Sequence, residues 1–217
     1  MSNNSEKKLR WGLHKSPYEA HMKCLNLVEG EKTVLDVGCA TGYLSHELKK
    51  KGCYVVGLEK NQQRAKIAQR NCDKVFVGDA DTIELPFKDY FDVILFADVM
   101  DYFRYPEKVL VKFKNYLKKD GYIVMSVPNI ANWSIRLSLL LGNFNYRRIA
   151  ILSPGKLKFF TAKTIKETLK QAGFKIEIFD ITSNVKGSRF GFVQFLAKLQ
   201  KNLFAMQFII KAVVDKD

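Results

Sequence analysis

One short stretch carries most of the chemistry in this sequence: Val34-Leu35-Asp36-Val37-Gly38-Cys39-Ala40-Thr41-Gly42-Tyr43-Leu44. An apolar run leads into a loop of small residues, and an amphipathic run follows. Gly38 and Gly42 let the backbone turn tightly and pass close to a ligand. A side chain at Gly38 is expected to occupy ligand space. Asp36 stands two residues before the first glycine, where its carboxylate would repel a pyrophosphate and attract an ammonium group. The glycine spacing also argues against a pyrophosphate. Dinucleotide loops use G-x-G-x-x-G, whereas here Gly38-x-Ala40-x-Gly42 is followed by no glycine until Gly52. A ligand joining an amino acid to a nucleoside suits this loop better than a dinucleotide.

The elements that must position these residues can be read from periodicity. Residues 17–28 place apolar side chains at helical spacing, with Pro17 suited to a first turn. Thr33 to Val37 reads as a strand broken by Gly38. Gly42 opens a helix that Gly52 closes. Residues 54–58 form a second strand ending at Glu59, residues 62–71 a helix, and residues 75–77 a short third strand. Residues 92–96 are almost all apolar, as a strand covered on both faces should be. Pro106 starts a helix reaching residue 118, and Asp120-Gly121 turns the chain into a strand over residues 122–127. Strands alternating with crossover helices predict a parallel sheet with helices on both faces. Further on, residues 130–141 and 190–201 read as helices. Thr161 caps a helix to Ala172 that Gly173 ends. Residues 174–181 and 203–214 read as two late strands, the last apolar enough to be central, forming an antiparallel edge on the parallel sheet.

Composition bounds the rest. The chain has 217 residues, enough for one domain with a full core, and its hydrophobic fraction of 47% excludes wholesale disorder. No apolar stretch is long enough to span a bilayer, and the polar N-terminus has no signal-peptide core. The four cysteines form no C-x-x-C pair, which argues for free thiols in a reducing cytosol over disulfides or zinc. A cytoplasmic location is therefore expected. The net charge is +14, and it is uneven: residues 1–106 carry 16 basic and 15 acidic side chains, the remainder 20 and 7. Such asymmetry fits an anionic partner.

D-x-G-x-x-T-G resembles the first motif of class I S-adenosylmethionine-dependent methyltransferases, and further matches lie in order. Glu59 stands where that family bridges both ribose hydroxyls. Val77-Gly78-Asp79-Ala80-Asp81 resembles the adenine-binding segment, with Asp79 accepting from the adenine amino group and Ala80 offering its backbone. Phe96-Ala97-Asp98-Val99-Met100 resembles the segment beneath the methionine moiety. The resemblance implies a doubly wound, mostly parallel seven-stranded α/β sheet of Rossmann-like type. It also implies S-adenosylmethionine as cofactor, S-adenosylhomocysteine as product, and cofactor contacts from Asp36, Gly38, Cys39, Ala40, Gly42, Glu59, Lys60, Asp79, Ala80 and Phe96. Residues 1–30 would form an N-terminal lid and helix, 31–128 the cofactor-binding core, 129–160 an inserted basic cap, and 161–217 the elements completing the sheet.

Asn132-Trp133, Gly142-Asn143-Phe144-Asn145-Tyr146, Leu157-Lys158-Phe159-Phe160-Thr161 and Ala172-Gly173-Phe174 are similar to a narrower set. These are the small methyltransferases associated with glycosyltransferases and the ubiquinone-type O-methyltransferases. The chain departs from that set twice. Asp101-Tyr102 stands where it commonly has Glu-His, and Ser153 and Lys156 take the places of an aspartate and a histidine. Candidate bases that remain are His14, His21, His46, Tyr102 and Lys156. His14, in a lid-like stretch, and Tyr102, beside the expected methyl position, are the expected catalytic residues. Tyr146, Arg148 and Lys156, in a basic stretch interleaved with aromatics, are expected to meet the acceptor. The expected reaction is methyl transfer to a small acceptor, an oxygen on a sugar or similar metabolite, with an anionic group such as a phosphate attracted by the cap. The alternatives are an RNA or protein methyltransferase, or a cofactor-binding partner protein without turnover. The apolar, lysine-dotted segment over residues 192–210 would also suit contact with a membrane surface.

Overall fold

The computed structural model describes residues 20–144, 151–182 and 201–216. Strands β1 (Thr33–Val37), β2 (Tyr54–Glu59), β3 (Lys74–Val77), β4 (Phe91–Ala97), β5 (Leu117–Pro128), β6 (Phe174–Thr182) and β7 (Gln207–Val214) form one sheet. Its order is β3-β2-β1-β4-β5-β7-β6. The first five strands pair in parallel, whereas β7 runs antiparallel to both β5 and β6. The expected fold class is present. The antiparallel strand lies one in from the edge, with β6 outside it.

Helices α1 (Ala20–Leu27), α2 (Tyr43–Lys50), α3 (Gln62–Ala68), α4 (Pro106–Lys114), α5 (Trp133–Leu140), α6 (Ala162–Gln171) and the short α7 (Lys201–Phe204) accompany the sheet, and α2 to α6 lie in the crossovers that its parallel strands need. Local chemistry fixes their ends. The Asn61 side chain accepts from the Arg64 N–H at the start of α3. Thr161 and Thr164 cap α6 reciprocally. The expected helix stop at Gly173 adopts φ 75°, in the left-handed region. The apolar faces then close on the sheet from both sides. Phe91, Phe96, Phe113, Ile123 and Ile210 are buried in one layer, and Cys24, Val34, Leu48, Leu95 and Ile209 in the other.

Three expectations shift. The helix that starts at Pro106 ends at Lys114 rather than 118, because β5 already begins at Leu117. Residues 118–121 do not form a free turn but a wide bulge inside β5. Leu117 pairs with Phe91 and Tyr122 with Val93, so the charged Lys118-Lys119-Asp120 segment is extruded to solvent. The last strand begins at Gln207 rather than 203, because residues 201–204 coil into α7. The Asn129 and Asn132 amides hold the Ala205 carbonyl at that bend. The helix expected over 190–201 lies almost wholly outside the described residues.

Candidate active site

The strand order reverses between β1 and β4. In open α/β sheets, ligands bind at such a switch point, beyond the carboxyl ends of the strands. The loop after β1 lies there. Its residues 38, 40 and 42 all adopt left-handed backbone, with φ of 72°, 51° and 77°. Gly38 is required by this φ and by packing. A Cβ there would stand 2.8 Å from Val99 Cγ2, so the glycine also lets the loop pack against the chain after β4. A Cβ on Gly42 would meet Asn71 Cβ at 2.8 Å. The two glycines thus clamp the loop between the end of β4 and the turn after α3.

Acidic groups ring this loop. Asp36, at the end of β1, is buried and accepts the Ser45 hydroxyl at 2.7 Å through Oδ2. Burial pushes its carboxyl up to about 6, which the Ser45 hydrogen bond offsets in part. Glu59, at the end of β2, is also buried. Its Oε2 accepts the Ala40 N–H at 3.0 Å and its Oε1 the Asn61 N–H at 2.8 Å. A carboxylate has about four acceptor positions, so two remain for a diol. Asp79 is exposed just after β3, where its Oδ1 accepts the Asp81 N–H. Lys60 is exposed and Ala80 buried beside them. These groups converge along the carboxyl edge of β1, β2 and β3, and their chemistry suits an amino-acid nucleoside: acid for an ammonium, acid for a ribose, and a polar turn for a base.

Two expected contacts turn inward. The Cys39 side chain packs with Ala68 and Cys72, and Gly57 leaves room for both sulfurs. A hydrogen bond with Cys72, and then burial, push the Cys39 thiol up, so only its backbone faces the loop. The Phe96 ring is fully buried against Phe103 and Phe113. It is a core residue, and its backbone alone borders the cleft.

Beyond β4 the chain forms a single 3-10 turn, Met100–Tyr102. Tyr102 is half-buried here; burial raises its phenol, and the Asp101 and Asp98 carboxylates raise it further. It is therefore a poor base and a suitable positioning group. Lys156 is not the open anion-binding group expected. Its Nζ lies 2.5 Å from Asp101 Oδ2, with side-chain exposures of 6% and 3%. The two places where the sequence departs from the resembled set thus meet as one buried ion pair. The Leu157 and Lys158 N–H groups bind the Asp101 carbonyl, docking this segment onto the turn. His14, Tyr146 and Arg148 lie outside the described residues. His46 is exposed on α2.

A second polar group assembles where sequence gave little signal. His21 of α1 approaches Asp98 Oδ2 at 3.0 Å through Nε2, and the Tyr43 hydroxyl at 2.6 Å through Nδ1. Asp98 Oδ1 accepts from Ser126 Oγ and Gln207 Nε2, each at 2.7 Å. Burial alone would raise the Asp98 carboxyl; the hydrogen bond and charge of His21, with Ser126 and Gln207, more than offset it and hold it below its ordinary value. The members come from α1, α2, β5, β7 and the end of β4. Their sequence separations reach 109 residues, so no local spacing marks them.

The fold and this cleft define a doubly wound domain built around a nucleoside-bearing cofactor. A family model described as a methyltransferase domain matches residues 14–177. The chain belongs to that family of methyltransferase domains. Among curated relatives, an uncharacterized protein of Methanocaldococcus jannaschii, MJ1123, is 28% identical over 65% of this chain and 63% of its own length. The ubiquinone biosynthesis O-methyltransferase of Acinetobacter baylyi is 19% identical over 67% of this chain and 64% of its own. The chain thus spans somewhat less than two thirds of these relatives. The crystal structure of an S-adenosylmethionine-dependent methyltransferase from Mesorhizobium loti shares the fold, with a TM-score of 0.67, 19% identity, and coverage of 93% of this chain and 99% of that one. No helix among the described residues is long and apolar enough to cross a membrane.

Proposed function

We propose that this chain transfers the methyl group of S-adenosylmethionine to a small acceptor, at an oxygen of a sugar or similar metabolite. The observation that carries the reading is the convergence of Asp36, Glu59 and the Asp79-Ala80 turn around a loop with three left-handed residues. Asp36 would receive the cofactor's ammonium, since its Oδ1 makes no hydrogen bond among the described residues. Glu59 would take the ribose hydroxyls, and Asp79 with Ala80 the adenine. Tyr102, with the segment docked on Asp101, would border the acceptor. When bound, the cofactor supplies an electrophilic methyl group. The chain supplies alignment and a place for the acceptor's proton. An anionic acceptor finds no support in Lys156, whose charge is already matched by Asp101.

Calorimetric titration with S-adenosylhomocysteine, with NADH as control, tests this. Micromolar binding of the first alone is expected. Asp36→Ala should abolish it and Glu59→Ala weaken it at least about tenfold, the loss of a charge-assisted hydrogen bond. Thermal melts check that both variants fold. Binding of NADH instead would sink the proposal.

A further inference from the structure

When a hydroxyl oxygen takes the methyl group and the thioether leaves, the oxygen still carries a proton that some group must take. Tyr102 and the Asp101–Lys156 pair are poorly suited: one is a phenol raised by burial, the other a closed ion pair. The group around Asp98 is differently made. Asp98 adopts φ 54°, a strained conformation for a residue other than glycine. Its N–H lies 2.9 Å from Ser126 Oγ, and that hydroxyl donates back to its Oδ1. An aspartate held this firmly orients whatever it binds, and it binds an imidazole.

We infer that Tyr43, His21 and Asp98 form a relay that accepts the acceptor's proton during methyl transfer. The inference rests on the methyl-transfer reading above. The hydrogen-bond pattern assigns the roles. Asp98 accepts from Nε2–H, which leaves Nδ1 as an acceptor, and the Tyr43 hydroxyl, 2.6 Å from Nδ1 against 3.3 Å from Nε2, donates to the nearer nitrogen. Tyr43 opens α2 directly after Gly42, and its partly exposed side chain reaches from beside the cofactor loop to the His21 ring. The loop itself abuts the chain after β4 through Gly38 and Val99. As the acceptor oxygen bonds to the methyl carbon, the carbon–sulfur pair stays on sulfur, giving a thioether. The acceptor's proton moves to Tyr43 Oη while Tyr43's own proton moves to His21 Nδ1. An imidazolium paired with Asp98 remains. Burial and the nearby Asp98 and Asp36 carboxylates raise the Tyr43 phenol, so it does not carry a standing negative charge but hands one proton on as it takes another. Among the described residues, Tyr43 from α2, Asp98 beyond β4 and Asp36 from β1 act on this imidazole, and Cys24 of its own helix lies near Asp98 and Tyr43. Burial raises the Cys24 thiol, and Asp98 adds to the shift, so it adds no charge.

The test needs no acceptor. The chain has three histidines, so nitrogen-15 correlation spectra of the full chain with S-adenosylhomocysteine bound can be assigned with His21→Gln. Over a pH series ending at about pH 9, His21 is expected to end as the neutral Nε2–H form. Asp98→Asn should abolish that fixed form, and Tyr43→Phe should shift Nδ1 while leaving the fold intact. An imidazole still doubly protonated at the top of the range, or one in the Nδ1–H form, overturns the relay. So does a tenfold or greater loss of S-adenosylhomocysteine affinity in His21→Gln, which would place the imidazole on the cofactor's amino-acid end. Failure of the unaltered chain to bind S-adenosylhomocysteine removes the methyl-transfer reading and the relay with it.

Discussion

Replacing Lys156 with methionine keeps most of the side chain's volume and removes its charge. The consequence can be worked from the Asp101 environment. Asp101 is 2% exposed, and neither of its carboxylate oxygens has a well-directed hydrogen bond among the described residues, although Nζ lies 2.5 Å from Oδ2. Lys156 is thus its main compensation. Burial already raises the Asp101 carboxyl, with the lysine opposing it. Breaking a buried pair from one side costs about 3–5 kcal/mol, because an uncompensated charge stays behind. The sign with pH follows. The folded state holds the Asp101 proton more tightly than the unfolded chain, so stability falls as pH rises from the ordinary carboxyl range through the raised folded value. In Lys156→Met that folded value rises further. The full penalty should appear at neutral pH and shrink toward about pH 3, below the ordinary carboxyl value, where the carboxyl is largely protonated in both states. Urea unfolding at both pH values measures it, with a midpoint shift of roughly 1–2 M at neutral pH. The double variant Asp101→Asn/Lys156→Met should recover at least about 2 kcal/mol. A Lys156→Met loss under about 0.5 kcal/mol at neutral pH, or no recovery in the double variant, would refute the reasoning.

Two further outcomes concern the cofactor loop and its support. Ala40→Gly should stabilise the chain by about 1 kcal/mol in denaturant unfolding, since alanine at φ 51° carries the left-handed penalty. Gly57→Ala would place a Cβ 2.8 Å from Cys39 Sγ and 3.0 Å from Cys72 Sγ. It should cost about 1–3 kcal/mol, and adding Cys39→Ala should return at least half of that in the same assay.

The proposed cofactor half of the site was legible because its signals are local. Asp36, Gly38 and Gly42 lie within seven residues, and Glu59 follows an apolar run whose end any periodicity reading finds. The two late strands were legible for the same reason. Their alternation is strong, and a strand as apolar as β7 needs neighbours on both sides. What stayed hidden depends on residues brought together from afar. Nothing near Asp101 foretells that Lys156 will neutralise it, 55 positions later. The chain after β4 reads as one cofactor segment, yet Phe96 turns into the core and Asp98 toward α1, a choice set by strand pleat and by the left-handed turn at Asp98. His21 looks like any polar residue of an amphipathic helix until β7 delivers Gln207 and β5 delivers Ser126 to the carboxylate beside it.

The place of β7 also bears on how the protein comes into being. Synthesis runs from the N-terminus, and domains assemble as their parts emerge. Here β6 is made before β7 but reaches the sheet only through it, since β7 lies between β5 and β6. Until residues 207–214 have left the ribosome, the free side of β5 is an open hydrogen-bonding edge, β6 has no partner strand, and Asp98 lacks the amide of Gln207. A growing chain already holds the whole loop after β1 by then, but its polar centre closes only when this strand slots home. Pairings of such long sequence separation fold slowly, so the nascent chain is open to misassociation along β5 during that interval.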